Sequence, residues 1–553
     1  MKKAVYIILS SIIFVFLLFT LSSCFLLGNV KTCPADHNTE FWYLDVSYES
    51  DEYERMYKKC IYCGEILDEK LVKKDLADTY ELEMLDDKTY KVTGYYGEPT
   101  EITLPSEYEG VPITTVGRSF SNSNLVSVTI PDSYTTIEDM AFFNSFSLET
   151  VVIGDSVKTI GEDAFYRCES LKNVTIGKSV SQIGNSAFAY CTSLEEIIIP
   201  DSVESIGNNL FTDCISLKNV VLPSTITTIP SGLFSGCRSI KEYNIPKSIT
   251  TIGSCAFDEC TSLSEVVIPD SVTTVSFGAF RNCSSLKNIV IPDSVVKIEE
   301  WVFSGCASLE SVSLPYALKF YSLFGDMVSD IPESLKTVVI TGGEEIPDYA
   351  FTGCSSIEKI TLPNSINRIG ISAFCECYSI SEIIIPDSVT FIDHFAFYEC
   401  SSLKSIVIPD SVTELGALIF FRCTALETVT LSNNLTYISD RMFSHCTALK
   451  EIVIPEGVTS FVYGSFAMCT SLEKIELPDT LVSIGYQSFL GCESLENIVI
   501  PASVEVIESD VFYNCHNITV YCETDPIPDG WSSGWNLCCY DHGKINFVLG
   551  YTE

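Results

Sequence analysis

From Leu194 onward the chain reads LEEIIIPDSVESIGNNLFTDC, and the apolar positions Leu194, Ile197, Ile199, Val203, Ile206, Phe211, Cys214 and Leu217 return, with substitutions, every 23 residues. Ile197 and Ile199 have the two-residue spacing of a strand with one buried face. Pro200 follows and, lacking an N–H, ends the strand there. The slot after Ile206 holds Gly207, and elsewhere Gly161, Ser276, Asp393 or Ser439. Gly, Ser and Asp start helices well, so the pattern predicts a short helical turn running from that slot to the phenylalanine. Glu299, Glu508 and Val462 occupy the slot in other repeats, so a positive φ is not obligatory there.

The register is marked by cysteines at 168, 191, 214, 237, 260, 283 and 306, and again at 354, 377, 400, 423, 446, 469, 492 and 515. A phenylalanine stands three residues before each. Earlier repeats carry Phe142 with Ser145 in the cysteine slot, and Phe120 in a shortened turn. The gap from Cys306 to Cys354 holds one degenerate turn around Leu323 and Phe324, returning through 335–340. A unit this small cannot bury its own apolar face, and stacked neighbours bury it together. The expected fold is therefore a repeat solenoid with one short strand and one short helical turn per repeat, about eighteen turns in all.

These residues resemble the BspA-like (Treponema pallidum type) leucine-rich repeat, as in LEEIIIPDSVESIGNNLFTDC (194–214) and LSEVVIPDSVTTVSFGAFRNC (263–283). The resemblance covers roughly residues 88–520. Residues 90–120 are similar to that family's first turn, and 521–536 to its closing segment. It implies a repeat solenoid of the α/β leucine-rich-repeat-like kind, with one short parallel β-strand per repeat in a curved parallel sheet, on a bacterial surface protein, in a family several of whose members adhere to host or matrix proteins.

Two roles compete for the cysteines. As a metal or redox ladder they would need convergent geometry. Strands in a sheet stand about 4.8 Å apart, whereas a disulfide wants Cβ atoms at about 3.8 Å and pointing together. A thiol also packs as a small hydrophobe, and Ser145 fills the slot without breaking the pattern. The cysteines are expected to be buried packing groups. Cys255 and Cys375 fall outside the register, and Cys522, Cys538 and Cys539 lie in the last segment, where a disulfide and free thiols are equally open readings.

The N-terminus MKKAVYIILSSIIFVFLLFTLSSC has a basic start and an apolar run from Ala4 to Leu21, the layout of an export signal. Leu21-Ser22-Ser23-Cys24 resembles a bacterial lipobox, which makes Cys24 the expected lipidation site; an uncleaved membrane anchor is the alternative. On this reading residues 1–23 are a signal peptide, 24–32 a tether, 33–66 a Cys/His knuckle, 67–87 a linker, 88–520 the solenoid and 521–553 a closing segment. The knuckle carries Cys33, His37, Cys60 and Cys63, the ligand number and types of a structural zinc site. Disulfides or reduced thiols are the other reading of those four residues.

Charge narrows the partners. With 33 basic and 73 acidic residues the formal charge is −40, which disfavours nucleic acid. The strand-entry charges alternate through Glu149, Lys172, Glu195, Lys218 and Lys241, and later Glu427, Lys450 and Glu473, as a register-setting rim would. The slot after proline runs Asp132, Asp155, Lys178, Asp201, Ser224, Lys247, Asp270, Asp293; its lysines interrupt any calcium ladder. Outward on the expected concave sheet stand Val152, Ile198, Val221, Val267, Val290, Val339, Ile384, Val407, Val453 and Val499, bordered by Glu196, Glu242, Glu265, Glu382 and Glu451. β-Branched residues suit a strand whatever its job. A charge-rimmed aliphatic strip also suits a protein-binding face.

No residue is expected to be catalytic. The five histidines are His37, His394, His445, His516 and His542; those beside cysteines adjoin buried slots, and nucleotide, zinc-protease and serine-hydrolase motifs are missing. The functional expectation is a lipid-anchored cell-surface repeat protein. It would bind an extracellular or host protein, or a glycan, through the concave sheet and require no cofactor beyond the candidate zinc. The alternative is a structural or antigenic surface protein without a specific ligand.

Overall fold

A computed structural model of the chain describes residues 43–44, 53–59, 66–73, 76–537 and 545–552. Cys24 and the four knuckle residues Cys33, His37, Cys60 and Cys63 lie outside the described residues, as do Cys538 and Cys539. Two compact units are present, 1–81 with 95–97 and 82–94 with 98–553.

In the first unit the strands Tyr43–Leu44, Tyr53–Lys59 and Ile66–Lys73 form an antiparallel sheet. The stretch 67–87, expected as a linker, thus contains most of one strand, together with the one-turn helix Leu76–Thr79 and the strand Tyr80–Met84. Its alternation (Ile66, Asp68, Lys70 against Leu71, Lys73) is too brief to separate from a polar linker by eye.

The second unit is the solenoid. Each rung begins with a short strand such as Glu196–Ile198, whose residues alternate exposed, buried, exposed, and Ile199 is buried beyond it. Rungs pair in parallel and through most of the solenoid in 23-residue register: Glu196 stands beside Asn219, Ile197 beside Val220, Ile198 beside Val221; the irregular turn shifts the step to 26 residues, from Ser311 to Thr337. Glu101–Thr103 at one end and Asn546–Leu549 at the other extend the series to about twenty rungs, more than the eighteen turns expected.

A second ladder runs alongside. Thr136–Ile137, Thr159–Ile160, Gln182–Ile183 and Ser205–Ile206 pair in parallel, again one repeat apart. Two residues are too few to declare a strand by periodicity, so these positions show in the sequence only as apolar spacing.

The helical turn expected after Gly207 is corrected. The segment from Gly207 to Cys214 is a run of tight turns in which Asn209 and Asp213 have φ of 58° and 54°, values a helix cannot contain. Asn and Asp tolerate that region better than most residues. The amides of Asn209, Phe211 and Asp213 instead donate to the carbonyls of Ser231, Leu233 and Ser235 on the next rung, at 2.9, 3.0 and 2.7 Å. The turn is held both by its neighbour and by its own bonds, the amides of Thr212 and Cys214 donating to the carbonyls of Asn209 and Phe211 at 3.1 Å each. Gly207 has a different reason from capping: a Cβ there would sit 2.3 Å from the backbone nitrogen of Asn185.

The core lies between the two ladders and the turns. Its phenylalanines form one column, with ring centroids 5.2 Å apart from Phe142 to Phe165 and from Phe165 to Phe188. The column survives the irregular turn, where Phe324 and Phe320 bridge Phe303 to Phe351 at 5.2–6.1 Å per step. Each fully buried ring contributes about 1.5–3 kcal/mol of transfer free energy. The column ends on Trp535, edge-on to Phe512 at 6.4 Å, while Trp531 donates its indole N–H to the Val504 carbonyl at 3.2 Å. These two tryptophans close the apolar end that the last rung would otherwise expose.

Candidate functional site

The interior comes first, because it decides what is left over for function. All fifteen register cysteines are buried free thiols. They do more than fill space. Cys214 donates its thiol hydrogen to the Phe188 carbonyl at 3.1 Å, Cys283 to Phe257 at 3.1 Å and Cys446 to Phe420 at 3.2 Å. The same bond to the preceding rung is made by every register cysteine except Cys354, which follows the irregular turn. Ser145 makes it with its hydroxyl, to Phe120 at 3.0 Å. The expectation of a buried packing group holds, with a donor function added that sequence reasoning missed. The signal was present, since serine and cysteine share a donor rather than a degree of hydrophobicity.

Burial drives the Cys306, Cys469 and Cys515 thiols strongly toward the neutral form, to about 12. Thiolate chemistry requires the opposite shift. Cys522 is also buried and free, whereas Cys255 and Cys375 are only partly covered. Among the described residues no group of His, Cys, Asp and Glu is arranged to hold a metal ion.

Three aspartates of the slot after proline are also accounted for by the fold. Asp132 accepts the amide of Asp155 at 2.7 Å, Asp155 that of Lys178 at 3.1 Å, and Asp201 that of Ser224 at 2.8 Å. These bonds hold the Asp155 and Asp201 carboxyls below the usual range, the backbone amide of the next rung being the main cause. Of the strand-entry charges, Lys172 pairs with Glu149 at 3.0 Å and Lys218 with Glu195 at 2.8 Å. Both pairs are exposed and worth little stability.

What remains without a structural partner is the outward strand column. Ile384 is 84% exposed, Ile198 and Val453 are each 68%, and Val221, Val267, Val290 and Val407 are exposed as well. Val152 is at the edge of exposure, and Val339 and Val499 are half-buried. Glu196, Glu242, Glu265, Glu382 and Glu451 are exposed beside the column. The aliphatic strip is not continuous. Register sets Ile198 beside Val221, Val453 beside Glu476, Val407 beside Thr430 and Asn244 beside Val267. The face is thus a series of short aliphatic patches separated by polar rungs.

A second feature, half-buried, lies on the turns. Tyr398 stacks on Phe421 with centroids 5.1 Å apart, Phe421 meets His445 at 5.2 Å, and the Arg441 guanidinium lies 4.1 Å over the Tyr463 ring. A cleft of about 540 Å³ opens beside them. Its position follows from side-chain size: the slot that holds Tyr398 and Phe421 holds Ser444 and Ala467 in the next two rungs.

Parallel rungs, a filled interior and a broad open face define a leucine-rich-repeat solenoid. Residues 114–241, 227–343, 344–473 and 460–524 match the family model described as BspA type Leucine rich repeat region (6 copies), and the chain belongs to that family. Members of such solenoid families are typically protein-interaction repeat proteins rather than enzymes. No curated protein matches the chain. Among solved structures, it is similar to a leucine-rich repeat protein from Bacteroides ovatus ATCC 8483, with 27% identity over 77% of this chain and 94% of that one, TM-score 0.40. A leucine rich cell surface protein from Faecalibacterium prausnitzii A2-165 is 28% identical over 76% of this chain and 92% of its own, TM-score 0.27. A leucine-rich repeat protein of T. pallidum is 20% identical over 55% of this chain and 89% of its own, TM-score 0.17.

Proposed function

We propose that the chain is a bacterial cell-surface protein, held to the membrane by lipid on Cys24, that binds an extracellular protein through its outward strand face. The observation that carries this reading is the exposure of Ile198, Val221, Val267, Val290, Ile384, Val407 and Val453 on a sheet whose stability comes from its other side. Aliphatic patches bordered by glutamates favour a partner of basic or mixed charge. Export and lipidation are supported by the basic and apolar N-terminal run ending at Cys24. Zinc in the knuckle of Cys33, His37, Cys60 and Cys63 belongs to the same reading and would fold a small segment rather than act chemically.

The test is a variant carrying Val267→Asp, Val290→Asp and Ile384→Asp, offered with the parent chain to immobilised extracellular-matrix proteins. The expected result is loss of binding with an unchanged melting curve; retained binding refutes the assignment of this face. If neither chain adheres to any of them, the reading as a structural surface protein without a ligand stands in its place. Fatty-acid labelling that vanishes in Cys24→Ala tests the anchor, and metal analysis of the purified chain tests the knuckle.

A further inference from the structure

The turn-side cleft differs from the rest of the surface in charge. The whole chain has 73 acidic residues among 553, yet none of the fifteen described residues lining the cleft is Asp or Glu, and two of them, Arg441 and His445, are basic. Its volume, about 540 Å³, falls within the roughly 300–1,000 Å³ common for small-molecule sites. Its lining runs along six rungs, from Ser372 and Cys375 to Gln487 and Leu490, and between Phe421 and Leu490 the small side chains Ser444 and Ala467 leave a gap of two rungs, about 10 Å at 4.8 Å per rung. That gap suits one or two fused rings.

The cations in and beside the cleft are not equivalent. Arg422 is committed elsewhere, pairing with Glu399 at 2.9 Å. Arg441 meets its neighbouring carboxylate, Asp440, only at 3.9 Å and otherwise lies on the face of Tyr463. That leaves guanidinium N–H groups without a close acceptor, already oriented by the ring beneath. His445 is held below the usual imidazole range by burial and by Arg422, and its Nδ1 lies 3.0 Å from the Ser444 hydroxyl. It therefore contributes a neutral wall at neutral pH. One fixed positive charge in an apolar slot matches a single carboxylate, which a guanidinium binds in two-pronged fashion; a dianionic phosphate would need more.

We propose that this cleft binds a small ring carboxylate, with the ring between Phe421 and Leu490 over Ala467 and the carboxylate on Arg441. The site stands apart from the strand face and does not depend on what that face binds.

Titration of the purified chain with phenylacetate, its neutral analogue benzyl alcohol and glucuronate tests the proposal. Saturable binding of phenylacetate is expected; benzyl alcohol should be weaker by about tenfold or more, the value of a charge-assisted contact, and glucuronate weaker too, because its hydroxyl-covered ring buries no apolar face against Phe421 and Leu490. Ser444→Phe should abolish binding, because the same slot already accepts Phe421 and Tyr398 in the two preceding rungs and the added ring fills the gap. An unchanged melting curve verifies that the variant is folded. Arg441→Ala should weaken phenylacetate about tenfold and leave benzyl alcohol unaffected. Absence of phenylacetate binding, equal binding of the neutral analogue, preference for glucuronate, or undiminished binding in folded Ser444→Phe would each overturn the proposal. If Ser444→Phe does not fold, the Arg441→Ala comparison decides alone.

Discussion

The inward and outward walls of the same strand obey opposite rules. Inward, rung after rung repeats the same chemistry: an aliphatic residue in the strand, a phenylalanine in the turn, a thiol on the preceding phenylalanine's carbonyl. Outward, the register column changes from Ile198 and Val221 to Asn244, then Val267 and Val290, then Ser313. Close packing explains the first rule, since a buried slot tolerates little change in volume and no loss of a donor. Solvent explains the second. The difference teaches that in a repeat protein the invariant positions describe how rungs stack, while individuality, and hence recognition, resides where the repeat is broken.

The comparison can be broken most severely from inside. Phe280→Ala should cost about 3–5 kcal/mol, because the ring stacks on Phe257 and Phe303 with no means for the column to collapse. Thermal melting reads this as a large fall in midpoint or as loss of the cooperative transition. A sharper version separates packing from hydrogen bonding at one slot. Cys283→Val preserves bulk but removes the donor to Phe257 and should cost about 1–3 kcal/mol. Cys283→Ser keeps the donor and should be the milder change, as Ser145 illustrates. If valine proves milder than serine, the thiol is only a hydrophobe.

Alkali should act on the same column. The folded state raises the thiols from 9.0 to about 12 at Cys306, Cys469 and Cys515, through burial. An unfolded chain gives up those protons first. The stability they contribute is therefore complete below about pH 9 and is lost as pH rises toward 12. Denaturant midpoints measured across that range should fall steeply. A flat profile would mean that the thiols are solvated.

Changes on the outer wall should be small. Val267→Asp, Val290→Asp and Ile384→Asp are each expected to alter stability by within about 0.5 kcal/mol. A large loss there would show that the outward column supports the fold. The smallest effect belongs to acid. Asp155 and Asp201 are held below their usual 3.8 by amides of the next rung, so their stabilisation exists above that value and is lost as pH falls through the lowered one. Both are fully exposed, and the denaturation midpoint between pH 5 and 3 should move only slightly.

The inner wall was legible in the sequence because it repeats. Phe211, Cys214, Ile197 and Ile199 announce strand, turn and register without any structure. The form of the turn was not legible. Glycine after Ile206 suggested a helix start, whereas the backbone turns on positive-φ residues such as Asn209 and Asp213, whose role depends on hydrogen bonds to a rung 23 residues away. The outward column could be read from alternation alone, but its interruption into patches becomes visible only once Val453 is placed beside Glu476. The turn-side cleft escaped sequence reading because it is made by a change of side-chain size in a slot that varies from rung to rung, large at Tyr398 and Phe421 and small at Ser444 and Ala467. Such a change becomes a cavity only when neighbouring rungs fail to fill it. Cys24, Cys33, His37, Cys60 and Cys63 rest on sequence alone.

The most direct test of a solenoid built on an interior thiol column is alkylation of the native protein with iodoacetamide, mapped residue by residue. Cys255, only partly covered, should react, Cys375 more slowly because burial pushes its thiol up to about 12, and the register cysteines from Cys168 to Cys515 should stay unmodified until denaturant is added. Labelling of Cys214 or Cys283 in the folded protein at the rate of Cys255 would contradict the account.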